Sequence, residues 1–198
     1  YNISAYAWPV PGETNTTDNL YVDGIVQIVP PAHDIAITHV TPSKTIVGQE
    51  HSLNVYVTLV NMGADAETFN VTVYANTTII ETKEVTLTSE NFTTLTFAWN
   101  TTGFAKGNYT IRAYAWPVQG ETDKTDNNYT DSTVQVVMPG DITSDGKVNI
   151  YDLREIAKSY GTKIGDPKYN SNADITCDDK INIYDLRELG KNYGKTDP

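Results

Sequence analysis

The feature that most constrains this chain is a segment written twice: "DITSDGKVNIYDLRE" at residues 141–155 returns as "DITCDDKINIYDLRE" at residues 174–188. Between residues 141–161 and 174–194 about fifteen of twenty-one positions agree, which two unrelated acidic turns would not do by coincidence. Each copy is an oxygen-rich loop running straight into an amphipathic helix. A hard cation such as calcium takes six or more oxygens at short range, and a twelve-residue loop supplies them because its odd positions can face one centre. In the first loop, positions 1, 3, 5, 9 and 12 are Asp141, Thr143, Asp145, Asn149 and Asp152, with the main-chain carbonyl of Lys147 at position 7 and Gly146 at the turn. In the second they are Asp174, Thr176, Asp178, Asn182 and Asp185, with the carbonyl of Lys180. The pattern predicts two calcium ions.

Val148 and Ile181 fall at position 8, where an apolar residue can pin paired loops together. The helices carry Leu153, Ile156, Ala157 and Tyr160 on one face in the first copy and Leu186, Leu189 and Tyr193 in the second, and Gly161 and Gly194 supply left-handed caps. No entering helix precedes either loop. Two such units in about sixty residues, with Asp in place of Glu at position 12, closely resemble a dockerin. The resemblance covers residues 139–195 and implies two calcium ions on the positions named, together with docking to a cohesin domain on another polypeptide.

Two departures from the dockerin pattern bear on the sites. Thr143 and Thr176 replace the usual Asn or Asp at position 3, and Asp179 replaces the turn Gly in the second loop, which predicts a weaker second site. Positions 10 and 11, which in many dockerins present small hydroxyl residues to the cohesin, are Ile150–Tyr151 and Ile183–Tyr184, with Arg154 and Arg187 as rim contacts. A partner would then match an apolar, aromatic surface; alternatively, Ile150 and Ile183 pack inside the small domain. Cys177, at position 4, is expected to be exposed, either as a bland replacement for Gly or Ser or in a redox or cross-linking role, and the lack of a visible basic neighbour to activate it favours the first.

The rest of the chain is written in strands. Residues 1–31 and 109–139 share about twenty of thirty-one positions, a duplication at a spacing of about 108, so the N-terminal segment reads as the tail of a repeat, with strands at "NISAYAW" and "GIVQIV". The complete repeat, residues 32–137, alternates apolar and polar residues over seven short runs between turn-rich pieces, which predicts an immunoglobulin-like sandwich. Leu53, Val55, Val57 and Leu59 should face inward, with Asn54, Tyr56 and Thr58 outward. The opening "DIAITHVTPSKTIVGQ", the "VNMGA" after the second strand and the closing "GNYTIRAYAW" hairpin with "GETDKTDN" resemble the CARDB family of extracellular, cell-adhesion-related repeats. That resemblance implies a spacer or adhesive module without catalysis.

Other conspicuous residues of the repeat have structural readings. Trp8 and Trp116, each before a Pro, are rim or core aromatics in preference to a carbohydrate platform. Glu121, Asp123 and Asp126, with Glu13 and Asp18 in the half copy, either cap a turn or bind a cation, and their spacing favours the turn. His33, His39 and His51 have no partner at ligand or catalytic spacing, and neither nucleophile motif nor phosphate loop is present. The chain is not read as an enzyme.

Expected overall is a mainly β protein: a partial repeat over residues 1–31, a CARDB-like sandwich over 32–137, and a small α dockerin-like domain over 138–198. A formal charge of -11 argues against nucleic acid as a partner, and no apolar run is long enough for membrane insertion. Sequons at Asn2, Asn15, Asn70, Asn76, Asn91, Asn100, Asn108 and Asn128 lie only in the strand-rich part and suggest N-linked glycans on a secreted or cell-surface protein. The leading functional reading is a non-catalytic surface protein that docks to a cohesin-like partner. The alternatives are a subunit of an extracellular filament or surface layer, a homo-polymer joined by strand sharing through residues 1–30, and the non-catalytic tail of a larger secreted enzyme.

Overall fold

The computed structural model describes residues 1–28 and 31–197; of the expected domain spans, residues 29, 30 and 198 lie outside the described residues. The chain divides into two compact units, Tyr1–Pro31 and Ala32–Pro198.

The first unit is an antiparallel hairpin of β1 (Asn2–Tyr6) and β2 (Leu20–Ile25). The second strand therefore starts and ends earlier than the expected "GIVQIV" run, because β1 offers only 5 residues to pair against. Its turn is held by short-range bonds: Glu13 Oε2 accepts the Val10 N–H at 2.9 Å, and Asn15 Oδ1 accepts the Thr17 N–H at 3.2 Å.

The second unit opens with a sandwich. β3 (Ile35–Pro42), β5 (Ser52–Asn61) and β8 (Phe92–Asn100) form one sheet in the order β3-β5-β8. The other sheet runs β4-β10-β9-β6-β7, from β4 (Ile46–Gly48), β6 (Glu67–Ala75), β7 (Thr78–Leu87), β9 (Gly107–Ala115) and β10 (Asn128–Val137). All pairings are antiparallel except β4 with β10, and β4 is a strand the sequence pattern missed. The alternation of β5 holds: Leu53, Val55, Val57 and Leu59 are buried between the sheets, and the residues between them are half-exposed. Trp99, near the end of β8 and opposite Leu53, is sealed in this core, edge-on to both Phe104 and Tyr109.

The hairpin of the first unit repeats the β9–β10 pairing in detail. Asn2 faces Ile25 as Thr110 faces Thr133, Tyr6 faces Leu20 as Tyr114 faces Asn128, and both ladders slip at the same place, between Ile3/Ser4 and between Thr130/Thr133. The burial differs. Ile111, Ala113 and Ala115 are sealed in the core, whereas Ile3, Ala5 and Ala7 are exposed.

After β10 the chain passes Pro139 and Gly140 into the helical part, made of α1 (Ile150–Ser159), a 3-10 turn (Ser171–Ala173) and α2 (Ile183–Asn192). Gly140 has φ 97, and a Cβ there would lie 3.2 Å from the Leu189 Cα, so the position needs both left-handed backbone and the missing side chain. Ile142, Val148, Ile156, Ala173, Ile175, Ile181 and Leu189 make a second, smaller core. The expected helix faces need correction: Ala157, Tyr160 and Tyr193 are exposed, and Ser159 is the buried residue near the end of α1, its hydroxyl donating to the Glu155 carbonyl at 3.1 Å. Among the described residues no helix is long and apolar enough to cross a membrane.

Candidate metal centre

Each loop is wound around its own carboxylates. Asp141 accepts the N–H groups of Asp145 (3.1 Å) and Gly146 (2.9 Å), and Asp174 accepts those of Asp178 (3.2 Å) and Asp179 (3.0 Å). Asp152 accepts from the Thr143 N–H and hydroxyl on one oxygen and from the Asn149 N–H on the other; Asp185 does the same with Thr176 and Asn182. Position 12 thus closes the loop and at the same time is the N3 acid of a capping box, in which Asn149 and Asn182 cap α1 and α2. One Asp serves both tasks, which links helix formation to loop closure.

The result is two carboxylate triads, Asp141–Asp145–Asp152 and Asp174–Asp178–Asp185, whose oxygens lie within 4.8 Å of one another. Positions 1 and 12 are buried in both triads, and position 5 is exposed. Burial pushes the Asp141 carboxyl above its usual range, partly offset by the Gly146 and Asp145 N–H groups and raised again by the Asp152 and Asp145 charges. Three clustered carboxylates, each with acceptor sites left over after their N–H bonds, form a hard-oxygen donor set that fits a calcium-class cation. Such an ion would cancel the repulsion that the apo loop must bear.

The remaining predicted ligands take supporting places. Lys147 pairs with Thr196, and the ladder bonds there run through Gly146 and Val148, so its carbonyl lies on the loop side with its N–H, which donates to Asp145 at 2.9 Å. Lys180 is disposed alike, opposite Lys163, with its N–H on Asp178 at 3.0 Å. Thr143 and Thr176 donate their hydroxyls to position 12, and Asn149 and Asn182 accept the Tyr151 and Tyr184 N–H groups as caps. Gly146 (φ 78) and Asp179 (φ 61) both stand in the left-handed region, and so do Ser144 (φ 59) and Cys177 (φ 56) at position 4, which the sequence did not signal.

Val148 and Ile181, expected to pin the paired loops together, share the small core, and their main chains add a second tie. Val148 exchanges bonds with Gly194 and Lys195 beyond α2, and Ile181 with Gly161 and Thr162 beyond α1. Each loop is therefore clamped to the exit of the other helix, and the two side chains meet inside the small core.

The second loop is also tied to the sandwich. Lys44, buried, donates its ammonium to the Asp174 carbonyl. Asn172 Oδ1 accepts the Thr45 and Ile46 N–H groups at 3.0 and 3.1 Å, taking up donors on the β4 edge. Cys177 is half-buried with its thiol on the Ser52 carbonyl, a correction to its expected exposure; burial pushes its pKa up, partly offset by the Lys44 ammonium, so the expected lack of a basic neighbour is corrected too. Asp174 further accepts the Tyr169 hydroxyl at 2.8 Å, so this site differs from the first in two neighbours as well as in Asp179. Among these, the buried Lys44 is invisible to sequence reasoning, which treats a lone lysine as surface.

The predicted docking residues are all exposed: Ile150 and Tyr151 at 58% and 60%, Ile183 and Tyr184 at 60% and 59%, with Arg154 and Arg187 beside them. Packing of Ile150 and Ile183 inside the small domain is thereby corrected. Trp116 is a rim residue whose indole N–H donates to the Thr72 hydroxyl at 3.0 Å. His33 pairs with Glu67 at 2.6 Å, and His51 donates its Nδ1–H to the Gln49 carbonyl at 2.8 Å, so both have structural partners.

Residues 139–193 match the model of the dockerin type I domain, and residues 31–131 match that of CARDB. Among solved structures, a CARDB domain from Pyrococcus furiosus in complex with di-metal ions is similar to 56% of this chain over 99% of its own, with 25% identity and a TM-score of 0.48. The solution structure of that domain gives 26% identity and 0.45, covering 55% of this chain and 98% of that one. A β-glucosidase from Erythrobacter marinus gives 15% and 0.44, covering 53% of this chain and 16% of that one. At these TM-scores none of the superpositions bears on function, and no curated protein matches the chain. With a CARDB match over half its length followed by a dockerin match, the chain belongs to the CARDB family and carries a C-terminal dockerin type I domain.

Proposed function

We propose that the chain is a non-catalytic extracellular module in which a CARDB sandwich carries a calcium-loaded dockerin to a cohesin-type partner. The carrying observation is the pair of carboxylate triads, each set directly before a helix whose first turn exposes an Ile-Tyr pair. Two ions, one on Asp141, Asp145 and Asp152 and one on Asp174, Asp178 and Asp185, would hold the loops, with the Lys147 and Lys180 carbonyls and the Thr and Asn positions completing the shells directly or through water. The partner surface is then apolar and aromatic at its centre, with Arg154 and Arg187 at the rim.

The organisation into a partial repeat (1–31), a sandwich (32–137) and a dockerin (138–198) follows from this reading. So does secretion: all eight sequon asparagines, Asn2, Asn15, Asn70, Asn76, Asn91, Asn100, Asn108 and Asn128, are exposed, as glycan acceptors must be. The test is binding to a panel of immobilised cohesin domains in calcium and in chelator. Calcium-dependent binding lost in a Tyr151→Ala, Tyr184→Ala variant supports the proposal; absence of binding to any cohesin, with both loops loaded, overturns it.

A second reading has its own observation. The β1–β2 hairpin keeps the register and bulge of β9–β10 while its inward face is exposed, so it fits the open side of a sandwich lacking those two strands. Strand sharing between chains would build a head-to-tail filament. Electron microscopy of the natural material with and without residues 1–28 separates this from a hairpin that completes a sandwich of its own polypeptide.

A further inference from the structure

Four buried side-chain polar atoms lack a hydrogen-bond partner among the described residues, and three of them belong to one end of the sandwich: Asp34 Oδ1, Asp126 Oδ1 and Asn127 Oδ1. The fourth, Trp99 Nε1, is in the main core. Several bonds bring the three together. Ile37 donates its N–H to the Asp126 carbonyl at 2.9 Å, Ile35 donates to Glu121 Oε1 at 3.0 Å, and the Asn127 amide donates from Nδ2 to both Glu121 oxygens at 3.2 and 3.3 Å. Asn127 is fully buried, and its Nδ2 bonds fix which end of the amide is the oxygen. All three orphans are therefore acceptors. Buried acceptors without a donor are costly, more so when charged, and these three, on two neighbouring segments of the chain, call for something that the protein itself does not supply.

One water has two hydrogens and cannot serve three acceptors, and it leaves the charge of the two half-exposed carboxylates unneutralised. A hard cation takes carboxylate and amide oxygens alike. Two carboxylate oxygens and an amide oxygen, without nitrogen or sulfur, suit calcium or magnesium and not zinc or copper. We infer that Asp34, Asp126 and Asn127 form a third divalent-cation site, on the CARDB sandwich and separate from the two dockerin loops. Glu121 is the positioning residue: its carboxylate is used up on Ile35, Val118 and Asn127 and holds the amide in place. Burial raises the Asp34 and Asp126 carboxyls, and their neighbours Asp123 and Glu121 raise both further, so in the absence of a cation this end of the sandwich would hold its charge at a cost.

The experiment counts calcium ions on the full chain by native mass spectrometry, with affinities from calorimetry at neutral pH. Three ions per chain are expected. Asp34→Asn with Asp126→Asn should remove one, weakening that site at least tenfold, and leave the loop ions in place. A loop variant, Asp141→Ala with Asp174→Ala, should keep the sandwich ion alone. Two ions on the unaltered chain, or no ion on the loop variant, overturns the inference, and neither measurement depends on the sandwich variant folding. Loss of the loop ions with the sandwich ion retained would count against the dockerin reading and for this one.

Discussion

Asn172→Ala tests how the dockerin is held to the sandwich. The side chain sits on the 3-10 turn that leads into the second loop, and its Oδ1 accepts two main-chain N–H groups of the β4 edge while its Nδ2 donates to the Thr45 hydroxyl at 3.1 Å. Thr45 is exposed, so water replaces its bonds and the loss there is about 0.5 kcal/mol. Ile46 is half-buried, and leaving its N–H without an acceptor costs about 1–2 kcal/mol. Together these come to about 2 kcal/mol, and for a folding unit of this size each kcal/mol lowers the midpoint by about 2–4 °C, so the shift should be about 4–8 °C. Scanning calorimetry in excess calcium measures it, and the variant should split a single transition into a sandwich and a dockerin component. Asn172→Asp, which keeps the acceptor and loses only the donor, should recover much of the loss. An unchanged midpoint and an unsplit transition in Asn172→Ala would show that the amide does not join the two parts, whatever its distances suggest.

Chelation of the full chain should abolish the helical far-UV signal of α1 and α2 and spare the β signal, because Asp152 and Asp185 both close the loops and cap the helices; helicity equal with and without calcium would contradict this. Asp179→Gly should tighten the second site by about fivefold, roughly 1 kcal/mol, by relieving a left-handed Asp, as read by calcium titration. His33 should titrate above its usual value because Glu67 bonds the ring. Its stabilising contribution is therefore complete below the unfolded value and is lost as pH rises through the folded one, and NMR titration should show the pKa falling back in Glu67→Gln. Glycopeptide mass spectrometry should find sugar on several of Asn70, Asn76, Asn91, Asn100 and Asn108; all eight sequons bare in natural material would remove the support for secretion.

The parts legible in the sequence were those written with a period. Alternation in β5 places Leu53, Val55, Val57 and Leu59 inward, and the carboxylates at loop positions 1, 5 and 12 name the two triads, because both patterns are local and each residue's role is set within about twelve positions. What stayed hidden depends on distant partners. β4 is three residues long and exists because β10 lies parallel beside it, some ninety positions on. Lys44 and Asn172 read as surface residues, and only the docking of one domain on the other buries the first and gives the second its acceptors' donors. The Asp34 oxygen was missed for the same reason, since its companions Asp126 and Asn127 come from the far end of the repeat. Tyr160 and Tyr193 fit the helical period but stand at the C-caps, where α1 and α2 have already stopped, and so leave the buried face.

The exchanged clamps explain why the small domain needs both of its loops. Position 8 of the first loop bonds the exit of α2, and position 8 of the second bonds the exit of α1, so a disordered loop frees the end of the opposite helix as well as the start of its own. Val148 and Ile181, both sealed in a core of only a few side chains, would lose their burial together, at about 1.5–3 kcal/mol for each. The second loop carries the further ties of Lys44, Asn172 and Cys177 to the sandwich, whereas the first is joined to it by the chain itself and by Lys106 on Asp197 beside Gly146. Order in either loop is thus a condition for order in the other. Cations held at the two triads would consequently act on three things through one set of contacts: the helices, the exposed Ile-Tyr pairs at their first turns, and the seating of the dockerin on the sandwich.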